Sequence, residues 1–255
     1  MKLGFIITGR MKSTRLPKKL TLKLLDKEVI KWMLMRAKLS FANDEIVIAT
    51  SKNPQDDILE EISLEMGTKV FRGHEEDVVL RLYQAAKENN FDYFINITAD
   101  CPLFGFDYVS QISKIINDDN PDLITCLDLP HGFFVYGIKT EALAKVIDIK
   151  KTENTEVWGD YFYSNPDKFK IVKMVFDESE KRPDYRLTID YPEDFEIFEK
   201  IFEHFGQDTY KTSSKNILNF LDNNPEIATI NKDCKQQYLQ RWEQQTATKL
   251  EKKSE

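Results

Sequence analysis

Cysteine is scarce: Cys101, Cys126 and Cys234 are the three in 255 residues, odd in number and far apart. That pattern suits neither a disulfide framework nor a zinc site, so reduced thiols are expected. No apolar run approaches the ~20 residues that cross a bilayer. The opening Met1–Ile7 meets arginine and lysine too soon to form the apolar core of a signal segment. The expected location is the cytoplasm, with no membrane partner. An excess of positive charge is also missing. A net charge of -7 and a pI near 5.2 would repel nucleic acid phosphates everywhere but at a local patch, so no nucleic acid partner is expected. The chain lacks the G-x-G-x-x-G of dinucleotide folds and the G-x-x-x-x-G-K-[ST] of phosphate-binding loops. No D-x-D stands at the end of a predicted strand, and no repeat, linker or low-complexity segment interrupts the sequence.

Against this acidic background, Arg10, Lys12, Arg15, Lys18 and Lys19 crowd into one loop directly after the apolar run Leu3-Gly4-Phe5-Ile6-Ile7. A local basic loop on an acidic protein points to a small polyanion, a nucleoside triphosphate being the candidate. Gly9 permits a tight turn, Ser13 and Thr14 offer hydroxyls, and arginine can hold phosphate bidentately where lysine supplies a point charge. A merely solvated basic loop is the alternative.

The length fits one large α/β domain. Short β-rich runs at 2–7, 45–49, 68–71, 93–97 and 123–125 alternate with helical patterns, the signature of parallel βαβ units. Ile30, Met33, Leu34 and Ala37 keep helical spacing, as do Ile58 and Ile62 ahead of Gly67, a helix stop. In 75–89, Val78, Val79, Leu82, Ala85 and Ala86 make a core-facing stripe. Beyond residue 126 the alternation loosens, with strands expected at 133–138 and 170–176 and short helices near 140–146 and 156–163. Pro192–Phe205 opens with proline and acids, a helix start. The polar stretch 232–255 is helix-prone and expected to fray at 249–255.

A doubly wound sheet binds ligands beyond the carboxyl ends of its strands. Besides the basic loop, three such ends carry polar residues. Thr50-Ser51 could meet a base or ribose, although helix capping by Ser51 or Asn53 explains them equally well. Arg72 follows another strand and is weak evidence alone. In Thr98-Ala99-Asp100-Cys101-Pro102-Leu103, aspartate ends what should be a central strand, where it is disfavoured and costly to bury unpaired. Asp100 is thus a candidate metal ligand, with capping of the next turn as the alternative. Magnesium would want a second acid, and Asp190, after Arg186-Leu187-Thr188-Ile189, is the best candidate.

Together these segments resemble the cytidylyltransferase family that includes the spore-coat polysaccharide F-type proteins and, more distantly, the CMP-sialate and CMP-3-deoxy-octulosonate synthetases. Arg10-Met11-Lys12-Ser13-Thr14-Arg15-Leu16-Pro17-Lys18-Lys19-Leu20 is similar to the family's A-R-M-x-S-x-R-L-P-x-K-x-L loop. Ala49-Thr50-Ser51, Phe71-Arg72-Gly73 with Asp77-Val78 and Arg81, Thr98–Leu103 and Arg186–Asp194 follow in the family's order, covering roughly residues 2–200. Two departures fall in the acceptor half: Pro130-His131-Gly132 stands where the family commonly has P-D-G, and Glu156-Val157 where it has E-H.

The resemblance implies a three-layer α/β/α sandwich with a mostly parallel Rossmann-like sheet and a smaller extension for the acceptor and for dimerisation. Residues 1–230 would form the nucleotidyltransferase domain, with its acceptor side at about 126–180, and 231–255 a C-terminal polar helix or tail. It implies transfer of CMP from CTP to a sugar-like acceptor for a surface glycan, with pyrophosphate leaving. Arg10, Ser13, Arg15 and Lys19 would bind phosphates, Thr50, Ser51 and Arg72 would lie near the cytidine, and Asp100 and Asp190 would hold Mg²⁺. Lys19, Arg15 and Asp100 are the expected catalytic residues, His131 and Glu156 the acceptor contacts, and a homodimer the expected assembly. His131 is a general base by position only, with plain hydrogen bonding as the default. The aromatics Phe133, Phe134, Tyr136, Trp158, Tyr161, Phe162 and Tyr163 line a sugar pocket or pack a core or dimer face. Two rivals remain at this point: a sugar-1-phosphate nucleotidyltransferase, whose usual G-x-G-T-R-L opening is missing here, and a nucleotide-binding module without turnover.

Overall fold

A computed structural model describes residues 1–237. Nine strands are described: β1 (Leu3–Thr8), β2 (Lys23–Leu24), β3 (Lys27–Glu28), β4 (Ile46–Ser51), β5 (Lys69–Gly73), β6 (Tyr93–Thr98), β7 (Leu123–Thr125), β8 (Tyr136–Lys139) and β9 (Ile171–Lys173). The helices are α1 (Val29–Ala37), α2 (Asp57–Glu65), α3 (Val78–Glu88), α4 (Val109–Asp119), α5 (Thr140–Ile149), α6 (Asp160–Tyr163), α7 (Pro192–Phe205), α8 (Ser214–Asn223) and α9 (Pro225–Ala228). Seven strands form one sheet in the order β5-β4-β1-β6-β8-β7-β9. Within it, β8 runs antiparallel to both its neighbours while the other pairings are parallel.

The strands form where β-branched and aromatic residues run together. β1 and β4 are buried on both faces, which is why LGFIIT and IVIATS are near-continuous apolar runs rather than alternating ones. One face of the sheet is covered by α1, α4, α7 and α8, the other by α3 and α5, giving three layers. In α1, Trp32 is fully buried, donates its indole N–H to Leu24 O at 2.9 Å and meets Phe202 of α7 edge-on at 5.0 Å. The α3 stripe of Val78, Val79, Leu82, Ala85 and Ala86 is wholly core, as its spacing predicts. Gly67 ends α2 with φ +68.

Corrections fall in the second half. The strand expected at 133–138 is displaced to 136–139, and that at 170–176 shrinks to 171–173. Only 160–163 of the helix expected at 156–163 is helical, because 156–159 instead walls a cavity. Residues 232–237 of the predicted C-terminal helix are helical; the rest of that stretch lies outside the described residues.

Candidate active site

The loop after β1 is anchored before it reaches any ligand. Gly9 passes so close to the end of β6 that a Cβ would sit 2.6 Å from Ala99 Cβ. Met11 N–H donates to Asp56 Oδ1 at 2.7 Å, and buried Asp56 also accepts from the Ser51 hydroxyl and backbone. Arg10 donates to Glu75 O at 2.8 Å and to Glu76 Oε1 at 3.0 Å, and Lys12 reaches Glu76 at 3.1 Å. Lys18 has φ 58, an unusual left-handed conformation for a residue other than glycine. It reverses the chain so that Lys19 points inward while Lys18 stays exposed.

Lys19 is the centre of the site. Its Nζ lies 2.6 Å from Asp100 Oδ2 and 2.9 Å from Asp190 Oδ1, so one ammonium bridges acids from the end of β6 and the entry to α7. Burial pushes the Lys19 ammonium down, but Asp100 and Asp190 together raise it above its ordinary value. Burial pushes both carboxyls up, and Lys19 more than reverses that, leaving each below the ordinary aspartate range. Arg15 also pairs with Asp190 and stacks on Tyr191 at 4.9 Å.

Three residues outside the predicted site hold Asp190 in place. Arg186 donates to Asp190 Oδ2 at 2.7 Å and to Asp194 Oδ1 at 2.9 Å. Asp194 accepts from the backbone N–H groups of Asp190 and Tyr191, capping α7, and Asn231 ties Asp194 Oδ1 to Arg186 O. The strand-like 186–190 segment is itself pinned, with Ile189 N–H on Asp100 O at 2.8 Å and Leu187 N–H on His131 O at 2.6 Å. Gly132 makes this approach possible: at φ +104, a Cβ would fall 1.8 Å from Leu187 O.

The cations face a cavity of about 150 Å³ lined by Arg10, Lys12, Lys19, Arg81, Thr98 and Asp100. Arg81, a motif residue without a predicted role, donates to His74 O and Glu75 O and holds the loop that pairs with Arg10 and Lys12. Burial, then Arg10, push its guanidinium down to about 10. Thr98, Glu156 and Trp158 border this cavity and also a second one of about 610 Å³. His131 lines the second cavity, 3.3 Å from Arg186; burial first and Arg186 next lower its pKa to about 4, so it is a neutral imidazole near pH 7.

The structure therefore brings together Arg10, Arg15, Lys19, Asp100, Asp190, His131 and Glu156. It leaves Ser13 partly exposed in the loop. It does not bring Thr50, Ser51 and Arg72 to either of these two cavities. Thr50 is fully buried, Ser51 is spent on Asp56, and Arg72 pairs with Asp57 at 2.6 Å and Glu60 at 2.9 Å beside a separate open groove. For Ser51 the physical reason is the Asp56 carboxylate, which takes both its hydroxyl and its backbone N–H, and for Arg72 it is the pair of acids on α2, Asp57 and Glu60. Asp100, which lines the smaller cavity, and Asp190, joined to it through Lys19, offer hard oxygen donors. That donor set fits a divalent ion completed by substrate and water.

A cationic loop on the first strand of a mostly parallel sheet, facing two acids at the carboxyl end of that sheet, defines a nucleotidyltransferase. The family model for cytidylyltransferases matches residues 5–232. An uncharacterized protein of Methanocaldococcus jannaschii, MJ1063, is 33% identical over 237 residues, 92% of this chain and 97% of its own. The spore coat polysaccharide biosynthesis protein SpsF of Bacillus subtilis is 29% identical, over 88% of this chain and 96% of its own. The solved structure of a cytidylyltransferase from Leptospira borgpetersenii superposes with a TM-score of 0.83 at 30% identity, covering 89% of this chain and 97% of that one. The chain belongs to the cytidylyltransferase family and is a CTP-dependent nucleotidyltransferase.

Proposed function

We propose that the protein transfers CMP from CTP to a sugar-like acceptor, releasing pyrophosphate, in the synthesis of a surface glycan. The observation that carries this reading is Lys19 Nζ within 2.9 Å of both Asp100 and Asp190, at the mouth of a cationic cavity that adjoins a larger one. The likeness to SpsF supports the glycan assignment.

Asp100 and Asp190 would hold Mg²⁺, which supplies charge neutralisation at the α-phosphate and polarisation of the attacking oxygen. Arg10 and Lys12 exchange the Glu76 carboxylate for the triphosphate, and Arg15 and Lys19 turn from the acids toward the departing pyrophosphate. The acceptor oxygen attacks the α-phosphorus from the side of Thr98, Glu156 and Trp158, where the cavities meet. Catalysis then rests on positioning and charge compensation by fixed groups rather than on covalent chemistry. The reading includes a homodimer, checked by light scattering. It also includes the cytoplasm, checked by fractionation; among the described residues no helix is long and apolar enough to cross a membrane.

The test is pyrophosphate release from each of the four nucleoside triphosphates with Mg²⁺ and a panel of sugar acceptors. Release confined to CTP supports the reading. Failure of CTP to bind, or binding unchanged in Arg15→Ala/Lys19→Ala, overturns it.

A further inference from the structure

The stretch of chain between α5 and α6 carries Glu156 and Trp158, which with Thr98 form the wall common to both cavities. Residues 150–159 are neither helix nor strand, so no backbone ladder holds that wall in place. Residues 151–154 and Glu156 are exposed, yet Thr155 between them is buried to 1%. Its hydroxyl donates to Asp77 Oδ1 at 3.0 Å and accepts from Val79 N–H at 2.9 Å, and its own N–H donates to Glu76 O at 3.3 Å. Lys150, at the start of the stretch, pairs with Asp77 Oδ2. Asp77 is itself buried and caps α3 by accepting from Leu80 N–H at 3.1 Å. One buried carboxylate therefore serves a helix cap and two points of an irregular segment more than seventy residues away.

The residues just before Asp77 grip the other side of the site. Glu75 O accepts from Arg10 and Arg81, and the Glu76 carboxylate accepts from Arg10 and Lys12. Residues 75–77 thus stand between the cationic loop and the shared wall and are bonded to both. We propose that Asp77 and Thr155 are positioning residues: they register Glu156 and Trp158 against the cationic loop, so that a triphosphate taking Arg10 and Lys12 from Glu76 shifts the wall through Thr155. This rests on the reading that the smaller cavity takes the triphosphate. A hydroxyl is needed at 155 because one atom must donate and accept at once. Valine, of the same shape, strips Asp77 and Val79 N–H of that partner, whereas serine keeps both bonds.

Trp158 is the reporter. Tryptophan emission of the full chain is followed as CTP and Mg²⁺ are added, and Trp158→Phe identifies the share that belongs to residue 158. CTP should change that share in the unaltered chain and in Thr155→Ser. In Thr155→Val the change should fall severalfold while CTP affinity, from calorimetry, stays close to that of the unaltered chain. A second measurement needs no variant to fold: hydrogen exchange across 150–157 with pyrophosphate alone, which brings the charge that competes with Glu76 and no base. Exchange of the Thr155 amide should change severalfold. Trp158 emission indifferent to CTP in the unaltered chain, valine and serine behaving alike, or exchange at 150–157 indifferent to pyrophosphate overturns the proposal. Absence of CTP binding would overturn nucleotidyl transfer with it, whereas CTP bound beside an unmoved wall overturns this inference alone.

Discussion

Lys19 occupies the position between Asp100 and Asp190 that a cation must fill for two acids to sit side by side. Lys19→Met is expected to lower turnover by ~10²-fold or more, on the scale of other electrostatic deletions, and pyrophosphate release measures it. The same ammonium holds both carboxyls below their ordinary range, so their contribution to stability is complete above the unfolded aspartate pKa of about 4 and lost as pH falls below it. His131 is the second titration device. Its pKa of about 4, against 6.5 when unfolded, means that the unfolded chain binds more protons in between, so stability declines as pH drops through that window. His131→Asn should flatten the decline, read from urea midpoints at several pH values. The basic loop and both aspartates were legible because charge at a strand end is rare and costly. Arg186, Asp194 and Asn231 were not, because positioning residues carry no signal until the chain has folded around Asp190.

At the level of elements, the decisive contact is 186–190 laid against 131 and 100. Gly132→Ala places a Cβ against Leu187 O and should cost about 2–4 kcal/mol or push Asp190 away from Asp100, read as a lower Tm together with lost pyrophosphate release. A separate clip is Arg36 of α1, fully buried, donating to Phe104 O at 2.6 Å, Tyr210 O at 3.0 Å and Thr212 O at 2.9 Å. Burial pushes its pKa down to about 9 against the opposing pull of Asp107, so the guanidinium stays charged at neutral pH, stacked on Phe106 at 4.6 Å. Arg36→Met leaves those carbonyls unsatisfied and is expected to destabilise by about 2–4 kcal/mol while CTP affinity is unchanged, checked by urea unfolding and nucleotide titration. The βαβ half was readable from alternation and from caps such as Gly67. The β2–β3 hairpin was not, because Leu25, with φ 55, turns it without the Asn-Gly or Asp-Gly that marks such turns. The segment 126–180 blurred because its strands are three or four residues long and its walls serve a cavity.

Across the whole molecule, a net charge of -7 surrounds a compact cationic patch, so long polyanions are repelled while a small one is drawn in. CTP affinity should fall severalfold between low and high salt, because Lys12 is largely exposed and Arg10 partly so, and single-stranded RNA should not compete with CTP in the same titration.

The single reversed strand has a further effect. Because β8 runs against its neighbours, the loop entering it arrives at the sheet edge where β1, β4 and β6 finish. On the proposed reading, the half that grips nucleotide and the half that chooses what receives it are separate stretches of chain meeting along one seam. Exchanging 126–135 and 150–160 for the corresponding segments of a relative is a route to new product chemistry provided that Gly132, the His131 carbonyl that holds Leu187, and the Lys150 and Thr155 contacts to Asp77 are kept.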